Sequence, residues 1–257
     1  KPPRKLPEAP LIEPVGVSIP PLPTIDLAFG SRDANVRRLF LARNGGGPDT
    51  EAAVQKGLEW LKGIQQPDGH WQAAEYGAKE QHTLGISGLC LLAFLGAGHD
   101  HINDGPFKDV VAKAIHYVLQ QQQENGHFPG TFYTQGICAM AIVEAYGMTG
   151  DTTLLQQATK AIEYIVAAQQ ECGGWDYSAA KDRNRGDTSV TGWQVMALKS
   201  AKRVGIEFPT EVMTKMRKYL AEVTRDGAIG YTNLEDPEHK WRTSAALTAA
   251  GLNAHLF

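Results

Sequence analysis

Residues Lys56–Trp71 read KGLEWLKGIQQPDGHW, and the same pattern returns twice. Lys113–Phe128 reads KAIHYVLQQQQENGHF and Lys160–Trp175 reads KAIEYIVAAQQECGGW. In each, a Lys opens an amphipathic run, and an aromatic residue (Trp60, Tyr117, Tyr164) precedes a Gln (Gln65, Gln122, Gln169). A Gly follows (Gly69, Gly126, Gly173), then a loop aromatic (Trp71, Phe128, Trp175). A fourth, weaker copy has Lys218-Tyr219-Leu220, Thr224 in the Gln place, Gly227 and Tyr231. Fixed offsets between four residue types identify a repeat of about fifty residues, one supersecondary unit long.

Each first run alternates charged and apolar residues at helical spacing, which predicts an outer helix with one buried stripe. A second run follows each loop and opens on Thr83, Thr134, Thr188 or Thr243. These second runs, such as Leu84–Leu92 (LGISGLCLL), are apolar nearly all round and predict a buried inner layer. The expected fold is all-α: a toroid or open horseshoe of about four helix hairpins. An additional amphipathic segment, Asn35–Arg43 (NVRRLFLAR), precedes Gly45–Gly47 and is expected to pack on the first hairpin. The triple glycine reads as a joint.

Outward from the repeats, composition narrows the function classes. Eight of the fourteen prolines fall within the first 23 residues. Proline fixes φ and offers no backbone donor, so residues 1–30 are expected to form an extended arm ahead of a repeat domain at 31–257. The net charge of −3, from 25 basic and 28 acidic residues, leaves no excess to neutralise a nucleic-acid backbone. No apolar run approaches the ~18–20 residues of a membrane span. Three cysteines (Cys90, Cys138, Cys172) form neither a disulfide framework nor a zinc spacing. Cys90 and Cys138 fall in apolar helices and read as core. A Pro-rich tether behind a removed anchor fits an envelope location, with the cytoplasm as the alternative.

The run Lys-Gly-x-x-Trp-Leu-x-x-x-Gln-x-x-x-Gly-x-Trp from Lys56 to Trp71 resembles the QW repeat of the squalene–hopene and oxidosqualene cyclases. Lys160–Trp175 is a second match, and Lys113–Phe128 a third with Phe for Trp. The resemblance covers about residues 50–257 and implies the α/α toroid shared with the protein prenyltransferases. It implies structural roles for Gln65, Gln122, Gln169, Trp71 and Trp175, tying a helix end to the next turn. It also implies an apolar, isoprenoid-like ligand in the central cavity. The cyclase acid motif, Asp-x-Asp-Asp-Thr, aligns with Asn184-Arg185-Gly186-Asp187-Thr188. Asn184 replaces the first Asp and Gly186 the proton-donating one, which leaves Asp187 as the candidate catalytic acid. A carboxyl that protonates an alkene depends on neighbours to set its acidity, so the reduced motif is not expected to support cyclisation as it stands.

Asp187 before Thr-Ser-Val also reads as a helix N-cap. The residues preceding the repeating Thr in the four units are His82, Tyr133, Asp187 and Arg242, expected on one polar rim. Asp176, Tyr177 and Trp193 complete the candidate ligand-binding set, with Trp193, Trp241 and Tyr133 as an aromatic lining. Helical toroids also occur in carbohydrate-active enzymes, and Asp176, Asp182 and Asp187 beside Tyr76, Trp175, Tyr177 and Trp193 keep that reading open. No metal or cofactor is expected. His99-Asp100-His101 lacks an EF-hand's ligand alternation, and Gln170 breaks the Asp-x-Cys pair of a prenyltransferase zinc site at Cys172. A closed cyclase ring uses six hairpins, and four would leave the inner face open to a protein partner, a polysaccharide or a second copy. A non-catalytic scaffold is therefore the alternative function.

Overall fold

A computed structural model describes residues 29–233 and 242–256. Most of the proline-rich arm and Trp241 lie outside the described residues. Among the described residues there are nine α-helices: α1 (Ala34–Arg43), α2 (Pro48–Gly63), α3 (Thr83–Gly96), α4 (Lys108–Gln120), α5 (Phe132–Thr149), α6 (Leu155–Ala167), α7 (Thr188–Arg203), α8 (Thr210–Glu222) and α9 (Ala245–His255). A two-residue hairpin, β1 (Thr224–Arg225) with β2 (Ala228–Ile229), pairs antiparallel between α8 and α9. The inner layer runs α3–α5–α7–α9, each helix against the next, and α2, α4, α6 and α8 back it from outside. This is the all-α hairpin stack of an α/α toroid. No helix of the described residues is long and apolar enough to cross a membrane.

The Gln side chains join successive units. Gln65 Nε2 donates to Gly69 O and to Val110 O in the first turn of α4, both at 3.0 Å. Gln169 Nε2 donates likewise to Gly173 O and to Val212 O of α8, both at 2.8 Å. Gln122 reaches Gln157 O of α6 at 2.9 Å. The indoles close the other side. Trp71 Nε1 donates to Leu61 O and Trp175 Nε1 to Ile165 O, each at 2.7 Å, satisfying carbonyls near the ends of α2 and α6. Phe128 has no donor to offer, and Gly126 O, the place served by Gln65 and Gln169 in the other units, is served by Gln135 Nε2 at 3.2 Å.

Gly69, Gly126 and Gly173 adopt φ of 101°, 89° and 95°, the left-handed region that favours glycine. A Cβ at any of them would strike the carbonyl of Lys113, Lys160 or Lys215 on the next outer helix. The repeating Lys thus marks where one unit's loop presses its neighbour, and in the fourth unit that place belongs to Lys215, three residues before the Lys218 of the sequence pattern.

The inner layer is more polar than its apolar runs suggest. Thr191, Gln194, Ser200, Gln135 and Glu144 are all buried on α5 and α7. Their hydrogen bonds explain it: the backbone N–H of each loop residue is received by an inner helix. Trp71 N donates to Ser87 Oγ, Phe128 N to Gln135 Oε1, Trp175 N to Thr191 Oγ1 and Ile229 N to Thr248 Oγ1, at 2.8–3.1 Å. Ile229 therefore fills the loop-aromatic place of the fourth unit, two residues before Tyr231, because the β1–β2 hairpin replaces the wide Gly loop.

The amphipathic segment forms α1 and packs on the first hairpin. Arg37 Nη1 donates to Ala97 O at 2.5 Å at the end of α3, and its other nitrogen pairs with Glu51 of α2. Packing begins before α1. Phe29 is buried against Gly147 and Val204, so the last residues of the sequence-defined arm belong to the folded body.

Candidate functional site

Asp187 caps α7 and is fully buried. Its Oδ1 accepts Ser189 N at 2.9 Å, Val190 N at 3.0 Å and Ser189 Oγ at 2.6 Å. The Ser189 proton is thereby committed to Asp187, so Tyr133 O–H donates to Ser189 Oγ at 2.5 Å. A Tyr133–Ser189–Asp187 chain thus runs from the half-exposed side of α5 to a buried carboxylate. Asp187 Oδ2 is buried without a hydrogen-bond partner, with Arg185 Nη2 3.7 Å away.

Arg185 is the cation of the site. It pairs with Asp176, and its guanidinium lies 5.7 Å from the Tyr177 ring centre and 5.4 Å from that of Tyr231. Burial works against its charge, yet the Asp176 carboxylate holds the guanidinium above its ordinary value. Tyr177 and Tyr231 share a hydrogen bond of 2.7 Å between hydroxyls, and Tyr133 meets Tyr177 edge-on at 5.8 Å. Burial raises the phenols of Tyr133, Tyr177 and Tyr219, so all three are neutral donors at neutral pH.

The reduced acid motif has a steric cause. Gly186 lies against the Tyr219 ring, and a Cβ there would collide with it. Tyr219 in turn bonds Thr188 Oγ1 through its hydroxyl at 3.1 Å. The loops of the first two units instead cover the corresponding tyrosines of the next outer helix, Tyr117 and Tyr164, with histidines. His70 lies 5.2 Å from Tyr117 and His127 4.8 Å from Tyr164. In the loop of the third unit Gly174 and Gly186 together take that place beside Tyr219 of the next outer helix. Gly186→Asp is expected to displace Tyr219 and lose about 2 kcal/mol by overpacking, read in urea unfolding. Unchanged stability would contradict the packing described.

Four of the seven sequence-derived ligand-site residues meet: Asp187, Asp176, Tyr177 and Tyr133. Arg242 is exposed and touches this group through its backbone, its carbonyl accepting Tyr231 N at 2.8 Å. His82 is half-buried at the end of a 3-10 turn (Glu80–His82) beside the first unit. Trp193 is half-buried one turn below Ser189. The hydrogen-bond register explains the separation. Ser87, Gln135, Thr191 and Thr248 play the same part, so Thr83, Thr131, Asp187 and Ser244 are equivalent positions. Tyr133 matches Ser189 rather than Asp187, and the two therefore face each other. Trp175, a possible stacking platform in sequence, is fully buried. Asp182 is exposed in the 176–186 loop, and Tyr76 packs edge-on to Trp60 at 5.7 Å. Ser189, Tyr219 and Tyr231 were absent from the sequence-derived set. Only the Ser following Asp187-Thr188, within hydroxyl reach of an N-cap carboxylate, carried a readable signal.

Burial pushes the Cys90 thiol up to about 11 and raises Cys138 as well, which leaves both as packing residues. Among the described residues no three His, Cys, Asp or Glu side chains cluster as a metal site would require.

The half-exposed side chains of α5 and α7 form one stripe. Phe132 and Gln135 point to the outer layer, where Phe132 meets Tyr164 and Gln135 meets Ala161 O. On the opposite side of α5 lie Tyr133, Ile137, Met140 and Glu144. Ser189, Trp193, Met196 and Ser200 occupy the same side of α7. The Tyr133–Ser189 bond crosses this face at the top and a Ser200 Oγ to Glu144 Oε1 bond, 2.9 Å, crosses it at the bottom. The inner face is thus apolar in the middle, with the polar rim at one end.

The squalene-hopene cyclase C-terminal domain family matches residues 79–230, more than half of the 257-residue chain. A probable squalene–hopene cyclase of Sinorhizobium fredii is 26% identical over 198 residues, 63% of this chain and 28% of its own length. The squalene–hopene cyclase of Zymomonas mobilis is 27% identical over 203 residues, 68% of this chain and 29% of that protein. Lanosterol synthase erg7A of Aspergillus fumigatus is 25% identical over 179 residues, 64% of this chain and 23% of its own. The chain spans less than a third of the length of these relatives. The family match takes in Tyr133, Asp176, Tyr177, Arg185, Asp187 and Ser189. With its repeats, its hairpin stack and this match, the chain belongs to the squalene-hopene cyclase C-terminal domain family.

Proposed function

We propose that the inner face of α5 and α7 binds an apolar, isoprenoid-like molecule whose polar end rests at the Tyr133–Ser189–Asp187 rim. The supporting observation is the stripe itself. Met140, Trp193 and Met196 remain half-exposed along the facing sides of α5 and α7, and the half-exposed Tyr133 and Ser189 hydroxyls stand at its upper end. Apolar walls supply the affinity, and a few convergent polar groups fix orientation.

The same geometry argues against alkene protonation. The place of the missing acid is filled by the Tyr219 ring, and Asp187 Oδ1 is committed to two backbone donors and Ser189. The proposed role is therefore binding.

Native mass spectrometry of the purified protein, with and without lipid extract, tests the reading. A bound lipid mass is expected, together with a melting temperature that rises on adding an isoprenoid. Tyr133→Phe, which removes the half-exposed hydroxyl of the rim, should weaken binding of an isoprenoid alcohol about tenfold, one hydrogen bond's worth. No bound lipid and an unchanged melting temperature across isoprenoids would overturn the proposal.

A further inference from the structure

The inner stripe ends abruptly at its lower end, and the element that ends it comes from outside the repeats. Glu144, 2% exposed, lies eleven residues below Tyr133 on the same face of α5, three turns or about 16 Å along the axis. There it accepts Ser200 Oγ from α7 and pairs at 2.5 Å with Arg32 Nη2. Arg32 Nη1 also approaches Met148 Sδ at 3.3 Å. Phe29 sits beside it, buried against Gly147 and Val204. The Arg32 and Arg203 guanidinia lie 4.6 and 5.4 Å from the Phe29 ring centre. The segment Phe29–Arg32 therefore crosses the lower end of the apolar stripe and places an ion pair and an aromatic ring across it.

Resting on the binding role above, we propose that Phe29 and Arg32 are a length stop, so that the ligand is an uncharged prenyl alcohol of about farnesyl length. An extended isoprene unit covers four chain carbons, about 5 Å at ordinary carbon–carbon bond lengths. Some 16 Å of apolar face between Tyr133 and Glu144 thus accepts about three units. A chain of six units would have to carry methyl and methylene groups over the Arg32–Glu144 pair, which desolvates charge without replacing its partners.

Head-group charge follows from the rim. Asp176 and Asp187 both stand against Arg185, which pairs with each of them. Two carboxylates against one guanidinium leave these three groups with a net negative charge, and Tyr133 and Ser189 present half-exposed hydroxyls beside them. A prenyl hydroxyl can exchange hydrogen bonds with those two hydroxyls, whereas a diphosphate meets like charge.

The test is a calorimetric titration of the whole chain with farnesol, geranylgeraniol, squalene and farnesyl diphosphate in matched detergent. Farnesol is expected to bind at least tenfold more tightly than squalene or farnesyl diphosphate. Phe29→Ala, checked for folding by circular dichroism, should narrow the gap between farnesol and geranylgeraniol. Squalene binding as tightly as farnesol would overturn the length stop while leaving the binding role intact. Diphosphate binding as tightly as farnesol would overturn the neutral head group. Failure of all four ligands to bind would remove this inference and the binding role together. The unmodified chain decides each of these outcomes, even if Phe29→Ala does not fold.

Discussion

Trp175→Ala is expected to destabilise the protein by about 4 kcal/mol, the usual cost of emptying a tryptophan-sized space in a core. Trp175 is fully buried and the largest such side chain among the described residues. Two polar ties are lost or loosened with it. Its indole donates to Ile165 O at the end of α6, and its backbone N–H, which donates to Thr191 Oγ1 of α7, loses the packing that aims it. Its carbonyl also receives Asp187 N at 2.8 Å, so the same residue sets the approach to the rim. Trp175→Phe separates the contributions. It keeps most of the volume and leaves Ile165 O without a donor, for an expected loss of about 1–3 kcal/mol. Urea unfolding of the three proteins measures both. A Trp175→Ala loss below about 1.5 kcal/mol, that of a partly exposed side chain, would contradict the unit-to-unit role given to the aromatic.

Arg32→Ala is expected to cost about 3 kcal/mol, although Arg32 lies outside every repeat. Removing one partner of a buried pair leaves the other charge unpaired. Glu144 would retain only the Ser200 hydroxyl, inside the α5–α7 interface. The double variant Arg32→Met, Glu144→Met should recover much of the loss, because two apolar side chains replace the pair without orphaning either charge. If the double variant is no more stable than Arg32→Ala, the penalty has another origin and the Glu144 account fails. Both variants also report on the lower end of the stripe, since the pair closes it.

Fold and site were not equally legible in the sequence. The outer helices and their loops could be read because short-range chemistry fixes them. The Gln, the left-handed Gly and the indole act within one hairpin and its neighbour, so their spacing is conserved from unit to unit in this chain. The inner-helix register was harder. The connection from loop aromatic to inner helix is short in the second unit, Phe128 to Phe132, and long in the first and third. Aligning the units on Thr83, Thr134, Thr188 and Thr243 therefore slips the second unit by two residues against the third, which set Tyr133 beside Asp187 when its true counterpart is Ser189. The fourth unit misled for a related reason, since its hairpin puts Ile229 where an aromatic was sought.

The site's polar partners were illegible for a different reason. Tyr133 and Ser189 are 56 residues apart, Tyr177 and Tyr231 54, and Arg32 and Glu144 112. Each contact exists only because the stacking of successive hairpins brings distant turns and loops level, and no local pattern encodes that. The Gly186 departure was visible as a letter, while its cause, the Tyr219 ring filling the space, needed the outer helix of the following unit in place.

A crystal structure of the protein with farnesol bound tests the central claim most directly. The account predicts one prenyl chain lying along Ile137, Met140, Trp193 and Met196, its hydroxyl at the Tyr133–Ser189–Asp187 rim and its tail ending at Phe29. An empty inner face in crystals grown at saturating farnesol, or a chain seated elsewhere on the molecule, would contradict it.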